Sequence, residues 1–519
     1  MRTEVTPSNL KVDLLDHQVK GVHWMMAQEK SDARGGILAD DMGLGKTLQT
    51  ICLLLNHRPS KKTRLPTLIV LPVSLINQWQ KEIRNKTQRG LNSKTLSIFI
   101  HHGKTKAKTS KKFVNYDIVL TTYNQVAEEF APKIKERKNS KERSEKRVRT
   151  IHGPLHRTAF YRVVLDEAQY IKNEKAKSSR GCCNLKAKYR WCLSGTPLQN
   201  NTAEAYSLIK FLRAKPYYYY NLFQAHIDSY TKGMQSEIGL KRLHLFLQTI
   251  MLRRTKTSQL LGKPLLELPA RNIHEVKVQF SEYEREAYDS LASKCIEKFK
   301  YLLKSNEIRS NFTYILVLLL RMRQACCHLK LVHDAIKNTD NDDLNEWNDD
   351  SVILQQQADK DLGLDEENSS ATNSAKVKAL ITKLNEINEA NSKSKVIIFS
   401  QFTKMLDIIE RKLESKRIGH TRLDGSMNID QRNYAIEKLQ KDPRITVLLI
   451  SLKAGSVGLN LNFANYVILM DLWWNPMVEE QAIDRVHRIG QKNEVNIFRI
   501  TVENTIEDRI LNLQERKVM

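Results

Sequence analysis

Residues 35–47, GGILADDMGLGKT, hold the chain's densest run of residues able to do chemistry. Gly43 and Gly45 stand just ahead of Lys46 and Thr47. Glycine lets backbone N–H groups converge on an anion with no Cβ in the way, and a helix starting at the lysine adds its partial positive charge. In such a loop the Lys46 ammonium reaches the β- and γ-phosphates of ATP, and the Thr47 hydroxyl ligates Mg2+. The strict phosphate-loop pattern G-x-x-x-x-G-K-[ST] asks for glycine where this chain has Asp40.

Two further groups supply what a phosphate loop lacks. In YRVVLDEAQYIKN (161–173) an apolar run ends in Asp166-Glu167. A strand there delivers both carboxylates to the edge that carries the loop. One would hold Mg2+ through water, and the other would orient and deprotonate an attacking water. In YRWCLSGTPLQNN (189–201), Ser194 and Thr196 offer small hydroxyls that can sense a γ-phosphate beside such a pair. Far downstream, VEEQAIDRVHRIGQ (478–491) reads as a helix with Gln481, Arg485 and Arg488 at i, i+4 and i+7, on one face. Such arginines form a solvated salt-bridge face or supply charge to a triphosphate. Near the start, His17-Gln18 opens a helix-patterned stretch, 10–30. The pair reads as a surface turn or as a carboxamide that meets the adenine edge.

These groups need rigid elements behind them. Short apolar runs alternate with helical patterns: Gly36–Ala39, then TLIVLPVSLINQWQKEI (67–83), YDIVLTTYNQV (116–126) and YRVVLD. That alternation signals an α/β fold, a parallel sheet covered on both faces, with ligands gathered at the carboxyl ends of its strands. From about 216 to 330 the pattern turns helical and basic, with proline and glycine concentrated in GKPLLELP. Residues 331–373 are rich in Asp and Asn and read as an acidic flexible linker. A second α/β series then follows, with KVIIFSQFT (395–403), HTRLDGSM (420–427), ITVLLISLKAGSVGLNL (445–461) and YVILMDLWWNP (466–476). The expected domains are a first lobe at 1–215, a helical subdomain at 216–330, the linker at 331–373, a second lobe at 374–500 and a C-terminal helix at 501–519.

A chain of 519 residues exceeds what one core usually serves, so several domains are expected. Its 84 Lys and Arg against 58 Asp and Glu leave a net charge of +26, which favours a polyanionic partner, nucleic acid first. Two lysine-rich segments, 104–112 and 133–149, lack hydrophobic periodicity and read as solvated loops. The second also reads as a DNA-contacting or nuclear-targeting segment. Seven cysteines without a C-x-x-C spacing argue against a disulfide framework and a zinc site, and Cys326-Cys327-His328 reads as a buried helix end. No apolar run reaches the roughly 18 residues of a membrane span, and MRTEVTPSNL has no apolar signal core, so a soluble intracellular protein without a membrane partner is expected. Oligomeric state is not legible.

Taken together and in this order, the motifs resemble the Swi/Snf-type ATPases, the DNA-translocating branch of superfamily-two helicases. ILADDMGLGKTLQT resembles the ATP loop, DEAQ the magnesium box, and LSGTPLQN the coupling motif. KAGSVGLNL and QAIDRVHRIGQ resemble the second-lobe motifs. The resemblance covers about residues 10–515. It implies two RecA-like lobes that grip ATP and double-stranded DNA, and a nuclear motor acting on nucleosomes or other DNA-bound proteins. It also implies that Gln18 contacts adenine, that Asp40, Gly43, Gly45, Lys46 and Thr47 cradle the nucleotide with Gly458 nearby, and that Thr47 and Asp166 hold Mg2+. Lys46, Asp166, Glu167, Arg485 and Arg488 would be catalytic, and Ser194 and Thr196 coupling residues. Thr122, Lys453 and Trp474 would touch the DNA backbone. Gln169 departs from the histidine common in the family's magnesium box. MLRRTK, GKPLLELP and LLLRMRQACCH resemble a branch that often carries a RING insert, with fungal SUMO-targeted translocases and lodestar-type factors the nearest likenesses. The acidic tract stands where that insert is expected, and it contains no cysteine, so ubiquitin-ligase activity does not carry over.

Overall fold

The computed structural model describes residues 5–60, 65–88, 96–130, 133–134, 150–196, 202–231, 236–260, 262–304, 312–332, 374–455 and 459–518. The chain divides into two compact units, Met1–Glu267 and Leu268–Met519.

The first unit is built on a seven-stranded sheet. Its strands are β1 (Gly35–Leu38), β2 (Thr67–Leu71), β3 (Ile98–His101), β4 (Ile118–Thr122), β5 (Ala159–Asp166), β6 (Lys186–Leu193) and β7 (Met251–Leu252). They lie in the order β3-β4-β2-β5-β6-β1-β7, and every pairing is parallel. Apolar runs without alternation form these strands because helices cover both faces; β1, β2 and β4 are buried at every residue. Helix α1 (Asp16–Lys30) and helix α2 (Lys46–Asn56) flank β1. Register fixes the working edge: Leu38 pairs with Leu193, and Leu193 with Asp166, so the ends of β1, β6 and β5 are level.

The second unit carries a six-stranded, all-parallel sheet: β8 (Arg271–Val278), β9 (Val396–Ser400), β10 (His420–Leu423), β11 (Val447–Ser451), β12 (Tyr466–Leu469) and β13 (Val495–Val502). The order is β8-β13-β12-β9-β11-β10. Alternate residues of its central strands feed two cores. Ile397, Phe399, Leu448 and Ile450 pack on one face, and Val396, Ile398, Val447 and Leu449 on the other. Helix α3 (Phe312–Cys327) ends in buried Cys326 and Cys327, and among the described residues no group of three or more His, Cys, Asp and Glu is placed to hold a metal. Helix α4 (Ala375–Ala390) buries Lys376 against Glu507 at 2.7 Å. Helix α5 (Pro476–Ile483) and helix α6 (Ile506–Val518) complete the unit.

The stretch read as helical, 216–330, is shared between the units. Helices Tyr220–His226 and Ser236–Ile250 and strand β7 belong to the first, whereas β8, the helix Glu282–Lys304 and α3 belong to the second. β8 is an edge strand with no buried residue, so RNIHEVKV lacks the apolar run that marks the inner strands. Strand β13 runs on to Val502, into the segment read as C-terminal helix, and that helix starts at Ile506. The basic segment 104–112 is exposed apart from buried Ala107 and half-buried Ser110. Of 133–149 all but the first two residues, and of 331–373 all but the first two, lie outside the described residues. No helix among those described is long and apolar enough to cross a membrane.

Candidate nucleotide site

The loop from β1 to α2 is shaped by its glycines. Gly43 and Gly45 sit at φ +91° and +86°, in the left-handed region that side chains with a Cβ resist. At Gly45 a Cβ would also lie 2.4 Å from Gln18 Nε2. Lys46 opens α2, and its Nζ donates to the Asp40 carbonyl at 2.6 Å and to that of Asp41 at 3.3 Å. The ammonium is thus folded back over the loop. Burial pulls its pKa below the usual lysine value, opposed by the charges of Glu167, Asp40, Asp166 and Asp41. Thr47 is half-buried at the second position of the helix.

Asp166 ends β5, and Glu167 follows with φ +53°, a left-handed backbone that turns the chain sharply. The Asp166 carboxylate accepts from Trp79 Nε1 at 2.7 Å and from the Glu167 N–H at 3.0 Å. Burial, and then the charge of Glu167, push its pKa up to about 6. Two adjacent carboxylates form an oxygen donor set suited to a hard cation, so the residues fit Mg2+. Gln169 Nε2 donates to Glu167 at 2.9 Å, and Ser194 Oγ donates to Gln169 Oε1 at 2.9 Å. The Thr196 N–H then donates to Ser194 Oγ at 3.1 Å. The carboxamide at the departing position therefore bridges Glu167 to the Ser194 hydroxyl, which the Thr196 backbone N–H also meets. A Cβ on Gly195 would sit 3.7 Å from Lys46 Nζ, which places this turn over the phosphate loop.

Other expected residues are placed differently. Gln18 is buried, accepting from the Leu15 N–H at 3.1 Å and donating to the Leu44 carbonyl at 3.2 Å, so it braces the loop. The Asp40 carboxylate is fully buried and turned to Arg254 and Gln49. Thr122 is 2% exposed, and its hydroxyl accepts from the Gln125 N–H at 3.2 Å, capping the helix that follows. In the second unit, α5 stops at Ile483, and residues 484–491 form tight turns. Arg485 and Arg488 therefore do not continue the face of Gln481 along one helix. The break follows from i→i−3 bonds at Arg485 and Val486 and from Gln491, which donates to the Ala464 carbonyl at 2.7 Å. Arg485 is buried, and Arg488 donates to the Leu459 carbonyl at 3.3 Å. Trp474 is part-buried with the Arg323 guanidinium 5.4 Å from its ring centre. Gly458 and the Lys453 side chain lie outside the described residues.

Comparison with known proteins settles the family. Residues 17–331 match the SNF2-related domain, and residues 375–490 match the helicase conserved C-terminal domain. The chain belongs to the SNF2 family. An uncharacterized ATP-dependent helicase of Schizosaccharomyces pombe is 35% identical over 99% of this chain and 60% of its own length. The ATP-dependent helicase ULS1 of Saccharomyces cerevisiae is 30% identical, over 99% of this chain and 40% of its own. The SNF2-family chain thus spans less than two thirds of either relative. A solved Sulfolobus solfataricus SWI2/SNF2 ATPase core in complex with dsDNA is similar at 26% identity, covering 98% of this chain and 92% of that one, with a TM-score of 0.42. Both relatives are named ATP-dependent helicases.

Three residues of the SNF2-family site escaped sequence reasoning: Trp79, Arg254 and, as a bridge, Gln169. Trp79 and Arg254 lie 87 and 214 positions from their partners; Arg254 sits in MLRRTK, but neither residue's type or spacing shows what it pairs with. Gln169 was legible in position but not in what it joins.

Proposed function

We propose that this chain is a motor core that couples ATP hydrolysis to movement along double-stranded DNA, remodelling chromatin or displacing other DNA-bound proteins in the nucleus. The observation that carries the reading is the continuous link from Glu167 through Gln169 to Ser194 and Thr196, on the strand edge that also presents Lys46. Lys46 takes the β- and γ-phosphates, while Gly43, Gly45 and the start of α2 offer backbone N–H groups. Thr47 and Asp166 hold the Mg2+, which would neutralise charge on the phosphate oxygens. Glu167 orients and deprotonates the attacking water, and the hydroxyl pair passes the state of the γ-phosphate onward. Arg485 and Arg488 supply charge to the triphosphate, Gln18 and Gly458 border the nucleotide, and Thr122, Lys453 and Trp474 serve the DNA grip. The net charge of +26 supports a phosphate-backbone partner, hence sequence-independent and salt-sensitive binding.

The test is the ATPase rate of the pure chain measured side by side with duplex DNA, single strands and nucleosomes. Stimulation by duplex DNA is expected. No stimulation would leave a nucleotide-dependent scaffold, and fork unwinding with single-strand stimulation would mark a strand-separating helicase instead.

A further inference from the structure

Asp40 stands where a phosphate loop normally has glycine, and its carboxylate is fully buried at the loop's entrance. An unpaired carboxylate there would be costly in itself and would compete for Lys46. Arg254 answers it. Its Nε donates to Asp40 Oδ1 at 2.8 Å, and its Nη2 donates to Asp40 Oδ2, a bidentate fork. The same guanidinium donates to Gln49 Oε1 at 2.9 Å on α2 and to the His17 carbonyl on α1. Gln49 closes the ring by donating to Asp40 Oδ2 at 3.1 Å. One side chain thus joins loop, preceding helix and following helix.

The backbone around Arg254 repeats the attachment. Leu38 pairs with Leu252, the Ala39 N–H donates to the Leu252 carbonyl at 2.7 Å, and the Asp41 N–H donates to the Arg254 carbonyl at 2.8 Å. The Lys256 N–H donates to the Asp41 carboxylate at 3.1 Å. Residues 251–256 therefore run alongside 37–41 as a splint. Independently, Gly21 leaves room for the cluster: a Cβ there would lie 1.9 Å from Gln49 Oε1 and 2.7 Å from an Arg254 nitrogen.

We propose that Arg254 is a positioning residue for nucleotide binding. It cancels the charge of Asp40, keeps Lys46 available for phosphate, and holds the loop's entrance between α1 and α2. The inference rests on reading the Lys46 loop as the ATP cradle, and it goes beyond that reading by making affinity depend on a side chain engaged with protein acceptors.

The test is titration of the purified chain with a fluorescent ATP analogue, alongside steady-state ATPase kinetics and thermal unfolding. Arg254→Gln is expected to raise the ATP Kd on the order of tenfold or more. Adding Asp40→Asn to that variant is expected to recover most of the loss, because the uncompensated charge is gone. Arg254→Lys, which keeps the charge but loses the fork, is expected to raise KM about threefold to tenfold while leaving kcat at saturating ATP near wild type. It decides the matter if Arg254→Gln fails to fold. Wild-type affinity in Arg254→Gln or Arg254→Lys overturns the proposal, as does a loss that Asp40→Asn leaves unrepaired. A wild-type chain that bound no ATP would overturn both this proposal and the cradle reading, whereas normal wild-type binding with indifferent Arg254 variants overturns this one alone.

Discussion

Replacing Gln169 by leucine tests the link between Glu167 and the Ser194 hydroxyl. Leucine keeps a branched side chain, one bond shorter, and removes both of the hydrogen bonds. One is the donor to Glu167 at 2.9 Å, and the other is the acceptor for Ser194 Oγ at 2.9 Å. A hydrogen bond to a charged group contributes about 1.5–3 kcal/mol, and a neutral one about 0.5–1.5 kcal/mol. Their sum, about 2–4.5 kcal/mol, is an upper limit, because half-buried Gln169 leaves water a route to replace part of it. If about half of that acts on the step that reads the γ-phosphate, turnover falls by roughly 5- to 50-fold, at 1.36 kcal/mol per decade. ATP affinity should change little, since Gln169 contacts neither Lys46 nor the loop in this structure. The assay is single-turnover and steady-state ATP hydrolysis with saturating duplex DNA, paired with direct nucleotide binding. A variant within threefold of wild type in kcat would refute the bridge. So would a kcat that falls only as far as ATP binding does, which would mean a general distortion of the site.

Four further outcomes are expected. Lys46→Ala should abolish ATP hydrolysis, read as phosphate release, because it removes the ammonium folded back over the loop. Arg488→Ala should spare nucleotide binding and lower DNA-stimulated hydrolysis by on the order of 10³–10⁵, as arginine fingers do; unchanged stimulated turnover would dismiss it as a finger. Glu29 is buried, and although burial alone would raise its pKa, Arg162, His57 and Trp191 hold it below the usual carboxylate value. Its stabilisation is therefore full above the unfolded value of 4.5 and is lost as pH falls through the lower folded value; Glu29→Gln should flatten that acid limb in chemical denaturation run from pH 7 downward. Lys376→Met leaves the Glu507 carboxylate buried without its partner at 2.7 Å and should cost the second unit about 3–5 kcal/mol in urea unfolding.

Much of this protein was written in short stretches of chain. Gly43, Gly45, Lys46 and Thr47 announce their loop because a left-handed turn, a helix start and a cation all lie within five residues. Inner strands such as Thr67–Leu71 and Val447–Ser451 announce themselves as unbroken apolar runs because both of their faces are buried. What stayed hidden was whatever depended on distant partners. Edge strand β8 has solvent on part of its surface and no fully buried residue, so it reads poorly until its pairing with β13 is seen. The turns after Ile483 interrupt a pattern that is helical by spacing, since Gln491 and the Ala464 carbonyl draw the chain off the helix axis. That the Thr122 hydroxyl caps the helix after β4 shows only once the turn between them is seen. Asp40 looked like a flaw in a familiar pattern; tertiary packing supplies the arginine that makes it tolerable. Spacing along a chain records local backbone preference and burial, whereas the pairing of buried charges is decided by which segments the sheet brings side by side.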